Sequence, residues 1–240
     1  MATSDPPDTR AARRAILAAL RRVTASPQPP PDLAPFLEGP FGCGSIGPPI
    51  DPATLITPFG SAARAWRADV LHARHDDWPQ AVRAALDARG CSRVALGTRG
   101  ALQPALMDAL RGLPVRQFEQ PLQQWRAELF DAVDAGVTGA LAGIADTGSL
   151  LLHPGAHEPR TLSLVPPVHV AVLMASTLYA SLAAALRALA PQADMPTNLL
   201  LVSGPSKTAD IQQTLAYGAH GPKALAIVLV DDLARGAPRR

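Results

Sequence analysis

Short apolar runs alternate with helical patterns through the middle of the chain, and this alternation limits the fold more than any other feature. The apolar runs are typical of buried strands, and between them apolar residues recur every three or four positions, as on an amphipathic helix. Such alternation is typical of a mostly parallel sheet with helices on both faces. The predicted order is helix 60–67, strand 69–73, helix 78–89, strand 93–96, helix 101–110, strand 115–118 and helix 122–135.

The alternation stops between residues 137 and 173, where GVTGALAGIADTGSLLL, RTLSLV and VHVAVLM follow one another with only turns between them. These segments predict three or four strands, and therefore a β-hairpin-rich insert within the α/β core. The alternation then returns with helix 177–189, strand 199–202, helix 208–216 and strand 225–230.

The chain is predicted to consist of three parts. Asp8 or Thr9 caps an amphipathic helix that runs to about Val23, so residues 1–25 form an N-terminal helical segment. Residues 26–58 are dense in proline and glycine and are expected to form a linker. Residues 59–240 are the predicted α/β domain.

Composition excludes several classes of protein. The 22 basic and 20 acidic residues give a net charge of +2, which does not favour nucleic-acid binding. The N-terminus has no apolar signal core and the chain no run of membrane length, so we expect a cytoplasmic protein without a membrane span. Cys43 and Cys91 are too few for a disulfide scaffold or for the ligands of an iron–sulfur cluster.

Several motifs suggest chemistry that their context does not support. LLLVSGPSKTADIQQTL, residues 199–215, resembles a phosphate loop but has Ser206 and Leu201 where the Walker pattern requires glycines. GCGSIG, residues 42–47, follows no strand and leads into prolines, unlike a dinucleotide fingerprint. A single DTGS cannot supply the paired carboxylates of an aspartic protease except in a homodimer, and the α/β pattern disagrees with that fold.

Histidines at two places are candidates for metal ligands, but we predict no metal site. His153 and His157 have helical spacing, although the Pro–Gly pair between them makes a turn, so they would not share a helix face. The segment HARHDD, residues 72–77, is more typical of a solvated surface.

Two lysines are the most informative charged residues, because every other basic residue except histidine is an arginine. Lys207 and Lys223 lie in the related turns SGPSK and HGPK. A strand, a turn and a helix starting near Thr208 would place unpaired backbone N–H groups beside Lys207, which favours binding of a small anion. The alternative is that Asp210 pairs with Lys207 and the loop only caps a helix. The predicted anion site comprises Asp146, Thr147, Gly148, Ser203, Gly204, Ser206, Lys207, Thr208 and His220.

The chain resembles a known family across roughly residues 69–230. GVTGALAGIADTGSLLL, RTLSLVPPVHVAVL and SGPSKTADIQQTLAYGAHGPKALAIVLV follow in the order and spacing of the LUD domain, as in the LutC/YkgG family of lactate utilization protein C. The resemblance implies a fold like that of the NagB/RpiA/CoA-transferase group, with a Rossmann-like core. It also implies a role in oxidising L-lactate to pyruvate beside two iron–sulfur partner proteins. One departure is that the family's AETGT is ADTGS here, with Asp146 in place of glutamate.

Two functions follow from these observations. In the first, the chain is a subunit of an iron–sulfur lactate oxidation system and binds no redox cofactor itself, the clusters being held by partner proteins. In the second, it is an enzyme resembling CoA transferases or formyltetrahydrofolate cyclo-ligase and binds a nucleotide or acyl-CoA. Asp146 would then be the candidate nucleophile, although its side chain is one methylene shorter than the glutamate of CoA transferases.

Overall fold

The computed structural model describes residues 9–23, 50–119, 122–189, 198–209 and 215–233. The chain divides into two compact units, Met1–Ser45 and Ile46–Arg240. In the first unit, helix α1 spans Thr9–Val23 and exposes Ile16, Leu17 and Leu20. Most of the predicted linker, residues 26–49, lies outside the described residues.

The first helix of the second unit begins eight residues before the predicted start at residue 60. Helix α2 spans Pro52–Ala65, so residues 52–58 of the predicted linker are helical. The reason is local: the Asp51 side chain accepts a hydrogen bond from the Ala53 N–H at 3.0 Å, and Pro52 occupies the first turn, where a proline is tolerated. The Asp–Pro pair, which we interpreted as part of the linker, is therefore the start of the helix.

Six strands form one parallel sheet, as the alternating pattern predicts. They are β1 (Asp69–Arg74), β2 (Val94–Leu96), β3 (Val115–Gln117), β4 (Ala135–Gly139), β7 (Val168–Met174) and β12 (Ala224–Asp231). Their order is β1-β12-β7-β4-β2-β3, and each neighbouring pair is parallel. Strands β7 and β12 are buried along nearly their whole length, as their continuous apolar sequences indicate. The prediction of a mostly parallel, Rossmann-like α/β core is confirmed.

The helices lie on both faces of this sheet. The remaining helices are α3 (Trp78–Asp87), α4 (Gln103–Ala109), α5 (Leu122–Asp131), α6 (Thr161–Leu164) and α7 (Leu182–Leu189). Helices α3 and α4 cover one face, where Val82 and Leu106 pack with Val137 and Val228. On the other face, Phe59 of α2 packs with Leu173 and the neighbouring strands. The core is therefore built in layers, with the parallel sheet in the middle.

A second sheet confirms the predicted hairpin-rich insert. It contains β5 (Ala142–Ile144), β6 (Ser149–Leu152), β8 (Leu178–Tyr179) and β9 (Leu200–Val202), in the order β8-β5-β6-β9. Strands β5 and β6 form the hairpin, and β6 pairs antiparallel with β9. The strand predicted over residues 199–202 is confirmed as β9, but its predicted burial is wrong, because β9 lies in this smaller sheet and Leu201 is 49% exposed.

The prediction of a helix over residues 208–216 is wrong, because the described residues at both ends of this range form strands. Strands β10 (Lys207–Ala209) and β11 (Leu215–Tyr217) pair antiparallel, with Lys207 opposite Tyr217. Both side chains contact the residues that follow α2: the Lys207 ammonium lies 4.5 Å from the centre of the Trp66 ring, and the Arg67 guanidinium 4.8 Å from the centre of the Tyr217 ring. These contacts between distant segments favour a hairpin over the helix that local spacing predicts.

Candidate functional site

The parallel sheet has a topological switch point between β2 and β4. From β2 the chain passes through α4 to β3 at the edge of the sheet, whereas from β4 it passes through the smaller sheet and α6 to β7 on the opposite side. The loops after two adjacent strands therefore diverge. Such a divergence opens a crevice at the carboxyl ends of the strands, which is where open α/β sheets bind ligands.

A cavity of about 180 Å³ occupies this crevice, and we call it the switch-point pocket. Its walls are mostly apolar, with one acidic and one basic side chain among them. The lining residues are Leu96, Gly97, Arg99, Gly100, Ala101, Leu102, Gln103, Leu106, Val137, Thr138, Gly139 and Glu158.

Glu158 is the acidic group of the switch-point pocket. Its Oε1 accepts a hydrogen bond from the Gly139 N–H at 3.1 Å. Burial raises the pKa of the Glu158 carboxyl from 4.5 to about 7, and the Gly139 hydrogen bond opposes this effect only in part. Near neutral pH the pocket therefore contains a carboxyl group that exchanges a proton.

The loop that carries Glu158 is held against the end of β2. The Thr98 N–H donates to the His157 carbonyl at 2.9 Å, and the Thr98 hydroxyl lies 3.1 Å from Nδ1 of His157. A Cβ atom on Gly97 would lie 2.7 Å from the same His157 carbonyl oxygen, so only glycine fits there. These contacts fix the position of Glu158 beside the switch point.

A second cavity, of about 200 Å³, brings together four of the residues predicted to bind an anion. We call it the serine pocket. It lies between the smaller sheet, the short helix α6 and the turn before β12. The predicted residues in its wall are Ser203, Gly204, Ser206 and His220; the others are Ser163, Leu164, His169, Leu201, Val202, Gly221, Pro222 and Leu225.

His169 is a buried polar group in the serine pocket. Its side chain is 1% exposed, and its Nε2 lies 2.8 Å from the hydroxyl of Thr138. Its Nδ1 has no hydrogen-bond partner among the described residues. Burial lowers the pKa of the His169 imidazole from 6.5 to about 4, so the ring is neutral at physiological pH. A neutral ring with one nitrogen unpaired can bond to a ligand.

The hairpin residues reach Ser203 through a chain of hydroxyl groups. The Thr147 hydroxyl lies 2.8 Å from that of Ser149, which lies 2.5 Å from that of Ser203. The structure thus brings Thr147 and Ser203 into one network, with Ser149 between them. Asp146 is exposed and does not line the serine pocket.

Gly148 and Gly204, both in the predicted site, lie against the C-terminal end of α2. Both have positive φ, +63° and +87°. A Cβ atom on Gly148 would lie 2.1 Å from the Ala63 nitrogen, and one on Gly204 would lie 2.2 Å from the Trp66 carbonyl oxygen. These glycines are therefore required for close packing, whatever the pocket binds.

Lys207 and Thr208 lie in β10, outside the lining of the serine pocket. Lys207 is exposed and contacts the Trp66 ring, and Thr208 pairs with Ala216. The backbone bonds of this turn differ from those of a helix start: the Ser206 N–H donates to the Pro222 carbonyl, and the Gly218 N–H donates to the Ser206 carbonyl. The predicted helix N-terminus beside Lys207 is therefore wrong.

His169 and Glu158 are functional candidates that the sequence patterns do not predict. The signal for His169 is its place in VHVAVLM, where one ionisable side chain interrupts a run that is otherwise typical of a buried strand. Glu158 lies in a turn-rich segment, HPGAHEPR, whose pattern does not indicate burial. Among the described residues, no group of three or more His, Cys, Asp or Glu side chains is placed to hold a metal ion.

The fold is a parallel sheet with a smaller sheet over one face and a crevice at its switch point. It is therefore an α/β fold of the Rossmann-like class, with cavities large enough for small ligands. The LUD domain family matches residues 58–230, and the chain belongs to this family. The resemblance found from the sequence motifs is confirmed. No helix within the described ranges has the length and apolar character needed to cross a bilayer.

Two relatives match the chain over nearly its whole length. An uncharacterized protein of Neisseria meningitidis serogroup B is 37% identical over 223 residues, covering 91% of this chain and 93% of that protein. Lactate utilization protein C of Deinococcus radiodurans is 28% identical over 225 residues, covering 93% and 98%. A crystal structure of a DUF162 family protein from D. radiodurans superposes with a TM-score of 0.56 at 26% identity, covering 76% of this chain and 99% of that one.

Proposed function

We propose that this protein is a component of a lactate utilization system that binds a small anionic ligand in the serine pocket and has no redox centre of its own. The observation that carries the proposal is the similarity to lactate utilization protein C, which spans nearly the full length of both chains. The gathering of Ser203, Ser206 and His220 around one cavity supports the ligand site.

The electron-transfer step is assigned to partner proteins. Oxidation of lactate to pyruvate releases two electrons, which a flavin, a nicotinamide or a metal centre must accept. This chain has two cysteines, and an iron–sulfur cluster is usually held by four thiolates. Iron–sulfur partners would therefore carry the electrons, and the exposed apolar side of α1, which includes Ile16 and Leu20, is a candidate docking surface.

Two observations count against the transferase alternative. Asp146, the candidate nucleophile, is exposed and lies outside the wall of the serine pocket. The serine pocket, at about 200 Å³, is also smaller than the roughly 300–1,000 Å³ of sites that bury larger ligands such as nucleotides.

The role in lactate utilization is tested by deleting the gene in its native host. We expect the deletion strain to lose growth on L-lactate, to grow normally on glucose, and to recover when the intact gene is returned. Normal growth of the deletion strain on L-lactate would contradict the role. Affinity purification of the tagged protein from lactate-grown cells should recover proteins with iron–sulfur absorbance, and their absence would contradict the assigned partners.

The anion site is tested by calorimetry with phosphate on the full-length protein. Removing a hydroxyl or imidazole that bonds the anion should weaken binding, so we expect Ser206→Ala and His220→Ala each to lower the affinity several-fold. The matched control is His75→Ala, which changes an exposed histidine outside both pockets. Equal affinity in all three variants, or no binding to the folded wild type, would remove the site from the serine pocket.

A further inference from the structure

We propose that the switch-point pocket is a second ligand site, which binds a small aliphatic monocarboxylic acid. The acid binds as its anion, and one proton is shared between the ligand carboxylate and Glu158. The assignment depends on the pocket's own chemistry and does not require the proposed role in lactate utilization.

The placement of Glu158 is the first step. One oxygen of its carboxyl group accepts the Gly139 N–H, and among the described residues this is the hydrogen-bond partner of that group. In the neutral form the carboxyl therefore has an O–H to donate inside a cavity whose walls are mostly apolar. A carboxylate oxygen is a strong acceptor for such a donor, and a hydrogen bond between O–H and O⁻ is short and strong.

Arg99 supplies the charge that selects an anion. It is the basic side chain in the wall of the switch-point pocket, and it lies on the loop that follows β2. A ligand carboxylate between Arg99 and a neutral Glu158 would have a countercharge and a donor. A ligand amine would instead need an ionised Glu158, which burial disfavours, and would lie near the like charge of Arg99.

The size and walls of the cavity limit the rest of the ligand. A volume of about 180 Å³ is roughly six times the share that one water molecule has in the liquid. The cavity thus fits an acid of a few carbons rather than a fatty acid or a nucleotide. Leu96, Leu102 and Val137 form an apolar wall for a short aliphatic chain.

Among the residues that line the switch-point pocket, Glu158 is the one that titrates near neutral pH. Besides Arg99, the loop after β2 contributes Thr98, whose hydroxyl contacts Nδ1 of His157. The imidazole of His157 is next to Glu158 in the chain but is not in the pocket wall. The parts of β4 and α4 that line the pocket contribute Thr138, Gly139, Gln103 and Leu106, which do not titrate near neutral pH. Burial raises the pKa of Glu158 to about 7, which places its titration within the accessible pH range.

The test is calorimetry on the full-length protein with acetate and L-lactate between pH 6 and 9, in two buffers with different heats of ionisation. We expect affinity to be nearly constant below about pH 7 and to fall up to about tenfold per pH unit above it, with proton uptake that rises from near zero below pH 7 to about one above it. Binding of neither probe to the folded wild type, or binding that does not vary with pH, would overturn the proposal.

Glu158→Gln is the decisive variant, because its amide donates a hydrogen bond at every pH but cannot titrate. We expect it to bind both probes with no pH dependence and no proton uptake. Glu128→Gln, which changes a half-exposed glutamate paired with Arg116, is the matched control and should keep the wild-type pH profile. A wild-type profile in Glu158→Gln would overturn the proposal.

Two further arms separate this site from the serine pocket and from the proposed role. Arg99→Met should weaken binding at all pH values while proton uptake persists. L-Lactamide, which has no carboxylate, should bind less tightly and without the pH dependence. Loss of probe binding in His220→Ala, with Glu158→Gln unchanged from wild type, would place the acid in the serine pocket and overturn the assignment, whereas growth of the deletion strain on L-lactate would contradict only the metabolic role.

Discussion

The hydroxyl of Thr138 lies 2.8 Å from Nε2 of His169, and this contact joins the walls of two different pockets. Thr138, on β4, lines the switch-point pocket, whereas His169, on the neighbouring strand β7, lines the serine pocket. Both side chains are buried. A change in the hydrogen bonding of Thr138 in the switch-point pocket therefore alters the hydrogen bonding of His169 in the serine pocket, and the reverse also holds.

Thr138→Val should destabilise the protein by about 1 to 3 kcal/mol, because it leaves Nε2 of His169 buried without a partner while keeping nearly the same side-chain shape. Thr138→Ser retains the hydroxyl and is the control, with a smaller loss expected. Urea unfolding followed by circular dichroism measures both. A loss in Thr138→Ser with no loss in Thr138→Val would show that the methyl group, and not the hydrogen bond, matters.

Below pH 6.5, His169 should make the folded state less stable. Because its pKa falls from 6.5 to about 4 on folding, the unfolded chain binds a proton in this pH range that the folded protein does not. The stability due to the neutral ring is therefore present above pH 6.5 and lost as the pH falls towards 4. His169→Gln should lack this part of the acid sensitivity in unfolding experiments between pH 4 and 7, whereas His75→Gln should retain it.

Glu158 should have the opposite effect. Its pKa rises from 4.5 to about 7 on folding, so the folded protein holds a proton that the unfolded chain releases between these pH values. The stability due to this proton is complete below pH 4.5 and lost as the pH rises through 7. Glu158→Gln should therefore gain stability relative to wild type with increasing pH, by about 1 to 3 kcal/mol at pH 8. A constant difference from pH 4 to 8 would contradict the buried state of this carboxyl group.

Gly148→Ala should unfold at a much lower temperature than wild type, since the new methyl group would collide with the backbone of α2 at Ala63. Gly90→Ala is a closely matched control: its φ is +65°, against +63° at Gly148, and a Cβ atom there meets nothing within 4 Å. Backbone strain alone should cost about 1 kcal/mol in the control, while the clash should bring the loss in Gly148→Ala to about 3 kcal/mol or more. Similar melting temperatures would mean that α2 shifts freely away from the hairpin.

The sequence predicts those parts of the structure that local patterns determine. Apolar runs such as VHVAVLM are buried whichever strands they adjoin, so β7 and β12 could be placed within a residue or two. The residues at 208–216 have a spacing that suits a helix, whereas contacts with Trp66 and Arg67, far away in the chain, favour the pairing of β10 with β11. Tertiary contacts of this kind are not encoded in a local window.

The candidate site was predictable to a similar extent. The turn SGPS and its companion HGP identified Ser203, Ser206 and His220, because glycine and proline mark turns that lie close to strand ends. The environment of Glu158 could not be predicted, since it depends on a loop folding back over the end of β2. Lys207 was predicted from its charge and from a helix expected to start beside it, but this segment is strand β10.

The early start of α2 has a practical consequence for work with fragments. The family match begins at residue 58, within α2, and a fragment trimmed to that boundary would lose Asp51, which caps the helix, and Leu55, which is buried beneath it. Phe59, fully buried in the intact protein, would then be the second residue of a frayed terminus. An expression boundary drawn before Asp51 keeps the helix whole, together with the backbone against which Gly148 and Gly204 pack.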